Sequence, residues 1–244
     1  MRTTLLLSMT LLTALVLHGE ASTAVGPCAA GTLLSYEDNT SGCELGGGSG
    51  GILVFSGFTF SLSSSSGSPV ILDASEITVT PDPEGLGGGF TFGGFAGGTV
   101  FTGQTATYNI NYSYFIDAGP VSSGADIGMD PPFGNVSITE AICADSIFDP
   151  SAPGECEVPG DPFAPQTFSI DVANPSNHLD LDPVVTMSAD IENTIFLDGT
   201  STSSGFDSLT ATSTVVSPTP EPLTLLTTLG GLLAIGFLRR YKCG

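Results

Sequence analysis

Four of the five cysteines in this 244-residue chain lie in its body, at Cys28, Cys43, Cys143 and Cys156, and they are its best candidates for covalent chemistry. The fifth, Cys243, stands at the C-terminal end. An even number of body thiols behind an export-type N-terminus predicts disulfides. Three connectivities are open. Loop closure favours the local one, Cys28–Cys43 with Cys143–Cys156, and each bond would contribute about 3 kcal/mol in the chain-entropy model. A zinc site is a poor alternative, because there is no Cys-x-x-Cys pair and His178 is the sole body histidine.

Enzyme chemistry lacks its usual parts. The basic residues are Arg2, Arg239, Arg240 and Lys242, so the body holds no cation to clamp a substrate or steady an oxyanion. A serine triad would need His178, which sits in Pro175-Ser176-Asn177-His178, and no nucleophile-elbow pattern occurs. A cysteine nucleophile would break the even thiol count. Paired carboxylates could hydrolyse glycosides, but the acids are scattered and there is no Trp to stack a sugar. No catalytic residue and no cofactor is therefore expected. Calcium is the stronger polar candidate, with Asp180 and Asp182 on one strand face and Asp126, Asp130, Asp145 and Asp161 in loops. No EF-hand spacing or nonapeptide repeat accompanies them, so they read as solvated carboxylates and no metal ligand is assigned.

The two ends carry the clearest signals. Residues 1–24 combine Arg2, a 13-residue apolar run at 5–17 and small residues Ser22 and Ala24 at cleavage-site spacing, which predicts a signal peptide removed after Ala24. At the other end Pro220-Glu221-Pro222 precedes an uncharged run, residues 223–238, and then Arg239-Arg240-Tyr241-Lys242. As a helix that run would rise about 24 Å, close to the ~30 Å hydrocarbon core, with the cationic cluster on the cytoplasmic side. The body would then face outward. Of the 25 acidic residues only Glu20 and Glu221 fall in the ends, so 23 acids remain in a body without Lys or Arg. Such a surface repels nucleic acid, whose binding depends on cations replacing counterions.

Pro220-Glu221-Pro222, the Leu/Gly-rich span and the terminal Arg239 and Arg240 together resemble the PEP-CTERM sorting signal of Gram-negative and related bacteria. That resemblance implies recognition of the tripeptide by an exosortase, a membrane cysteine protease-transpeptidase, after signal peptidase has acted at the other end. Cys243, beyond the Arg cluster, departs from the pattern. The body is also similar to a recurrent family of PEP-CTERM proteins, common in Acidobacteria, whose members usually lack an assigned activity. The similarity lies in Gly31-Thr32-Leu33-Leu34-Ser35-Tyr36, Gly42-Cys43-Glu44-Leu45-Gly46, Phe55-Ser56-Gly57-Phe58-Thr59-Phe60, Thr107-Tyr108-Asn109-Ile110-Asn111-Tyr112 and Val136-Ser137-Ile138-Thr139-Glu140-Ala141-Ile142-Cys143. A Gly-rich insertion after Cys43 departs from that family's compact spacing. The resemblance implies a secreted β-domain and supplies no catalytic residue.

The elements that must position these residues read as strands between Gly, Pro and Ser punctuation. Tyr108, Ile110, Tyr112, Tyr114 and Ile116 alternate with polar residues, and so do Val136, Ile138 and Ile142. Phe168, Ile170 and Val172 repeat the pattern, as do Val185, Met187, Ala189 and Ile191, and finally Leu209, Ala211 and Val215. Ile52 to Leu62 is apolar, with Phe58, Phe60 and Leu62 on one face; Ile77 to Thr80 is a short strand closed by Pro81 and Pro83, and Phe90 to Phe95 lies among glycines. Period two predicts an all-β fold, a single sandwich or jelly-roll-like domain. Residues 46–51 and 63–68 read as loops, and 145–165 as an acidic surface loop tied by Cys156. The expected organisation is a signal peptide (1–24), an all-β extracellular domain (25–209), a Ser/Thr/Pro-rich spacer (210–219) and a sorting signal (220–244) with its transmembrane helix (223–238). The expected role is that of an exported, exosortase-processed structural protein of the cell surface or of an exopolysaccharide-associated matrix. A glycan- or calcium-binding module on the same scaffold is the alternative.

Overall fold

The computed structural model describes residues 25–46, 52–82, 87–117, 121–149, 155–157, 164–181 and 187–216. The expected signal peptide, the 47–51 glycine loop and the whole sorting segment with its helix lie outside the described residues. Among the described residues no helix is long and apolar enough to cross a membrane.

The chain begins with β1 (Gly31–Thr32), helix α1 (Leu33–Glu37), β2 (Cys43–Gly46) and β3 (Ile52–Ser66). It continues through β4 (Thr78–Asp82), β5 (Gly88–Gly93), β6 (Thr105–Asp117), β7 (Val121–Asp130) and β8 (Val136–Ala144). The short β9 (Ile147–Phe148) and β10 (Cys156–Glu157) precede β11 (Gln166–Asp171), β12 (Ser176–Asp180), β13 (Ser188–Asp198) and β14 (Ser208–Val216). Two six-stranded antiparallel sheets result, in the orders β1-β4-β5-β14-β7-β12 and β11-β8-β13-β6-β3-β2, while β9 and β10 pair separately. From β5 onward the long strands pass back and forth between the sheets, except that β8 and β11 pair within one sheet, so most neighbours in the sheet centres are distant in sequence. The expected all-β, two-sheet architecture is what forms.

Alternation explains which faces meet. Tyr108, Ile110, Tyr112, Tyr114 and Ile116 of β6 are all buried, as are Ala189, Ile191, Ile195 and Leu197 of β13. In β3 the buried parity changes along the strand. Leu53 and Phe55 point inward, and after Gly57 the inward residues are Phe58 and, partly, Phe60. The register slips between Ser56 and Thr59, where Gly57 takes a φ of 69°. One extra residue in a bulge moves every later side chain to the other face. Phe90 of β5 joins the two sheets: its ring lies 4.8 Å from Phe55, 5.3 Å from Phe58 and 5.5 Å from Tyr36, each edge-on.

Helix α1 closes one end of the sandwich. Thr32 and Ser35 form its capping box, and Leu33 and Tyr36 are its buried residues. The Tyr36 hydroxyl donates to the Ala29 carbonyl at 2.7 Å, and burial pushes its pKa up to about 12.

Three expectations need correction. Ser63 to Ser66 is the end of β3, not a loop, and Ser64 to Ser66 pair with Thr107 to Thr105. Backbone pairing needs no apolar side chain, and the serine hydroxyls find threonine partners, Ser64 with Thr107 at 3.0 Å and Ser66 with Thr105 at 2.8 Å. Pro81 does not end β4, which runs on to Asp82. β1 covers only Thr78 and Val79, so at Pro81 one side of β4 is an edge where the missing N–H costs nothing. The stretch from residue 210, expected as a spacer, belongs to β14, a central strand paired with β5 as far as Ser213 and with β7 as far as Val216. Its alternate residues Leu209, Ala211 and Ser213 are buried, in keeping with the strand alternation of Leu209, Ala211 and Val215 rather than with the spacer.

Candidate functional site

The disulfides join Cys28 to Cys43 and Cys143 to Cys156, the local pairing. The first ties the start of the domain to edge strand β2, where the Cys28 N–H donates to the Glu44 carbonyl and the Glu44 N–H to Gly26, both at 2.9 Å. The second has a larger consequence. Cys143 is on the outward face of β8, opposite Asp190 of β13, and Cys156 is in β10. Their bond folds the β9–β10 pair over one end of that sheet's outer face, and both cysteines are fully buried there.

A groove of about 330 Å³ forms where β9–β10 meets the sheet. Phe115 of β6, Ile147 of β9, and Asp145 and Asp190 line it together with Ser113 and Ser188. Phe115 is 47% exposed and Ile147 53%. Both carboxylates are fixed by backbone donors. Asp145 Oδ1 accepts from the N–H groups of Met187 at 2.7 Å and Ser188 at 3.0 Å, and Asp190 Oδ2 from that of Phe148 at 3.2 Å. Asp145 itself has a φ of 51°, in the left-handed region that a non-glycine residue enters at a cost.

His178 lies on the outer face of the other sheet, on edge strand β12. Its Nδ1 is 2.8 Å from Asp126 Oδ1 and its Nε2 3.2 Å from Asp180 Oδ1. Thr214 donates to Asp126 Oδ2 at 3.0 Å. The hydrogen bond with Asp126, then that with Asp180, raises the imidazole pKa. A carboxylate sits on each ring nitrogen, which favours the charged imidazole and leaves neither nitrogen presented to a hydroxyl nucleophile. Asp126 also lines a second surface depression, of about 350 Å³, with Thr210 and Thr212.

A third polar cluster is buried between the sheets. Glu140 faces inward from β8 and is 1% exposed; its cross-strand neighbour Asn193 on β13 is fully buried. Glu140 Oε2 and both polar atoms of the Asn193 side chain have no well-formed hydrogen bond among the described residues. Burial, slightly offset by Asn193, raises the Glu140 pKa to about 8. The carboxyl is therefore largely protonated at neutral pH. Tyr112, pushed well up by the same burial, borders the cluster.

Among the other residues singled out in the sequence, Pro220, Glu221, Pro222, Arg239 and Arg240 lie outside the described residues, as do Asp161 and Asp182. Asp126 and Asp180 meet on the His178 ring, whereas Asp130 ends β7 and Asp145 follows β8 of the other sheet. No group of three or more His, Cys, Asp or Glu converges to hold a metal ion among the described residues. Sequence reasoning missed Phe115, Ile147 and Asp190 as a set, because they come from three strands. It also missed Glu140, although parity marked it: Glu140 is an acid at an inward position between Ile138 and Ile142.

No family model matches the chain, and no curated protein matches it in sequence. Among solved structures it is similar to TmCBM61, determined in complex with β-1,4-galactotriose, with a TM-score of 0.32 and 9% identity over 63% of this chain and 86% of that one. It is also similar to the enzymatically active domain of tailspike protein 4 from bacteriophage CBA120, with a TM-score of 0.29 and 16% identity. That match covers 65% of this chain and 19% of the tailspike chain. Neither likeness assigns the chain to a family.

Proposed function

We propose that this chain is an exported, non-catalytic protein of the cell surface or of an exopolysaccharide-associated matrix, sorted by its C-terminal signal. Signal peptidase removes residues 1–24. An exosortase then cuts at or near Pro220-Glu221-Pro222 and separates the β-domain from residues 223–244. One observation carries the reading. A two-disulfide β-domain without a single Lys or Arg is bracketed by two apolar runs, each flanked by the chain's only basic residues.

The chemistry is consistent at each step. Disulfides persist in oxidising compartments outside the cytosol. Arg239, Arg240 and Lys242 resist translocation against both desolvation and the membrane potential. Two prolines around Glu221 favour an extended backbone over a helical one at that peptide, as suits a protease substrate. The non-catalytic reading is supported by the engagement of His178 with two carboxylates and by the lack of Lys and Arg in the body.

Replacing Glu221 with Ala tests the sorting step. In an exosortase-bearing host the variant should be exported normally, escape processing and accumulate full-length in the membrane. Processing and release identical to the wild type would reduce the C-terminal segment to an anchor and overturn the proposal.

A further inference from the structure

We propose that the groove between β9–β10 and the outer face of the β6–β13 sheet binds a neutral oligosaccharide. This inference does not rest on the export reading.

The first argument is the placement of apolar surface. Along β6 the outward positions are Thr105, Thr107, Asn109, Asn111 and Ser113, all polar, until Phe115 breaks the series. Its ring is nearly half exposed at the groove, beside the exposed Ile147. The Cys143–Cys156 bond holds the strand pair that carries Ile147 against the sheet, so the two apolar surfaces face one opening. Apolar area left in water forgoes about 25 cal/mol for each Å², and a ligand that covers it recovers that free energy. The apolar C–H face of a pyranose is suited to an aromatic ring presented in this way.

The second argument is the polar set around the ring. Asp145 and Asp190 are strong acceptors, and backbone N–H groups pin one oxygen of each in place before any ligand arrives. A carboxylate has about four acceptor positions, so capacity remains on both. Ser113 and Ser188 add hydroxyls that donate or accept. Acceptors fixed beside an apolar platform suit a ligand with many hydroxyl donors, and their fixed positions lower the ordering cost of binding. The volume of about 330 Å³ lies at the small end of ligand sites.

The third argument is charge, which selects the class of glycan. The groove holds two carboxylates, and the body has no Lys or Arg to attract an anion. Uronate, sulfate or phosphate polymers would be repelled by the surrounding field. A neutral hexose chain meets no such barrier.

The experiment is affinity electrophoresis of the full-length chain in a polyoxyethylene detergent, which carries no sugar. The gels contain soluble neutral polysaccharides (a galactan, a β-glucan and a mannan) or polygalacturonate as the anionic control. The wild type should be retarded by at least one neutral polymer and not by polygalacturonate. Phe115→Ala should weaken that retardation about tenfold or more, the scale of one lost ring contact plus its buried area. Phe115→Tyr should retain it, and Asp190→Asn should weaken it while keeping an acceptor for the Phe148 N–H. Circular dichroism melting verifies folding, and the Tyr and Asn variants carry the test if Phe115→Ala is unstable. Absence of retardation by every neutral polymer, or retardation that ignores both Phe115→Ala and Asp190→Asn, overturns the proposal. A drop in oligomeric mass on Phe115→Ala also overturns it, since the patch would then be a contact between copies of this chain.

Discussion

Glu140 offers the sharpest test of the physical reasoning, because one side chain should impose its own pH dependence on the whole domain. Its carboxyl is buried between the sheets beside Asn193, and desolvation raises its pKa from 4.5 to about 8. The unfolded chain releases this proton near pH 4.5, while the folded chain retains it up to about pH 8. Between those values the folded state binds more protons than the unfolded one, so stability falls as pH rises. The slope is about 1.4 kcal/mol per pH unit, which accumulates to roughly 3 kcal/mol by pH 7 and to 4–5 kcal/mol above pH 8. Glu140→Gln keeps the shape and removes the proton. The stability of the variant minus that of the wild type should be flat below about pH 4.5, climb at that slope, and level off above about pH 8. Any constant cost of a differently bonded amide shifts the curve vertically without altering its form. Urea unfolding of the disulfide-intact protein from acid to mildly alkaline pH measures it. The chain has no Trp, so tyrosine fluorescence and far-ultraviolet circular dichroism are the signals. A difference that stays constant across the range, or one that falls with pH, would refute the assignment of Glu140 as a carboxyl kept neutral by burial.

The exposed His178 should also lose stability as pH rises, but only from about pH 6.5 upward. Its pKa is raised by Asp126 and Asp180, so its stabilising contribution is complete below about pH 6.5 and disappears as pH rises through the raised value. His178→Gln should therefore lower the melting temperature slightly in mild acid and leave it unchanged in alkali, with high salt reducing the acid effect; equal shifts at both pH values would contradict this. Replacing Cys143 and Cys156 together with Ser should cost about 3 kcal/mol by urea unfolding, given a separation of 13 residues. The same variant should lose glycan retardation, because the wall that carries Ile147 is no longer held; retention of full binding would separate the groove from its disulfide.

How far the sequence reached can be judged element by element. β6 was readable because five apolar residues alternate without interruption, and an antiparallel strand with one buried face requires that pattern. β7 was not. Its Val-Ser-Ser-Gly-Ala-Asp-Ile-Gly-Met-Asp has two glycines and two aspartates, yet it lies between β14 and β12. Its small residues are needed where side chains from the neighbouring strand cross it: a Cβ at Gly124 would come within 2.8 Å of the His178 ring. The end of β3 reads as loop, and residues 210–216 of β14 fall in the expected spacer although Leu209, Ala211 and Val215 alternate as a strand, for a related reason. Hydroxyl-rich segments lack an apolar signal, and only pairing with a partner strand makes them sheet.

The sequence by itself determined the all-β class, the local pairing favoured for the cysteines, the absence of Lys and Arg from the body and the two apolar, basic-flanked ends that motivate the proposed sorting. Each depends on residue type and on spacing along the chain, which no fold can change. The tertiary structure alone decided that Glu140 and Asn193 are buried together, that His178 is clasped by two carboxylates, and that Phe115, Ile147, Asp145 and Asp190 share one groove. Those residues come from strands or loops far apart in the chain. What brings them together is strand register and the passage of the chain between two sheets, and these are set by the packing of the whole core rather than by any local pattern.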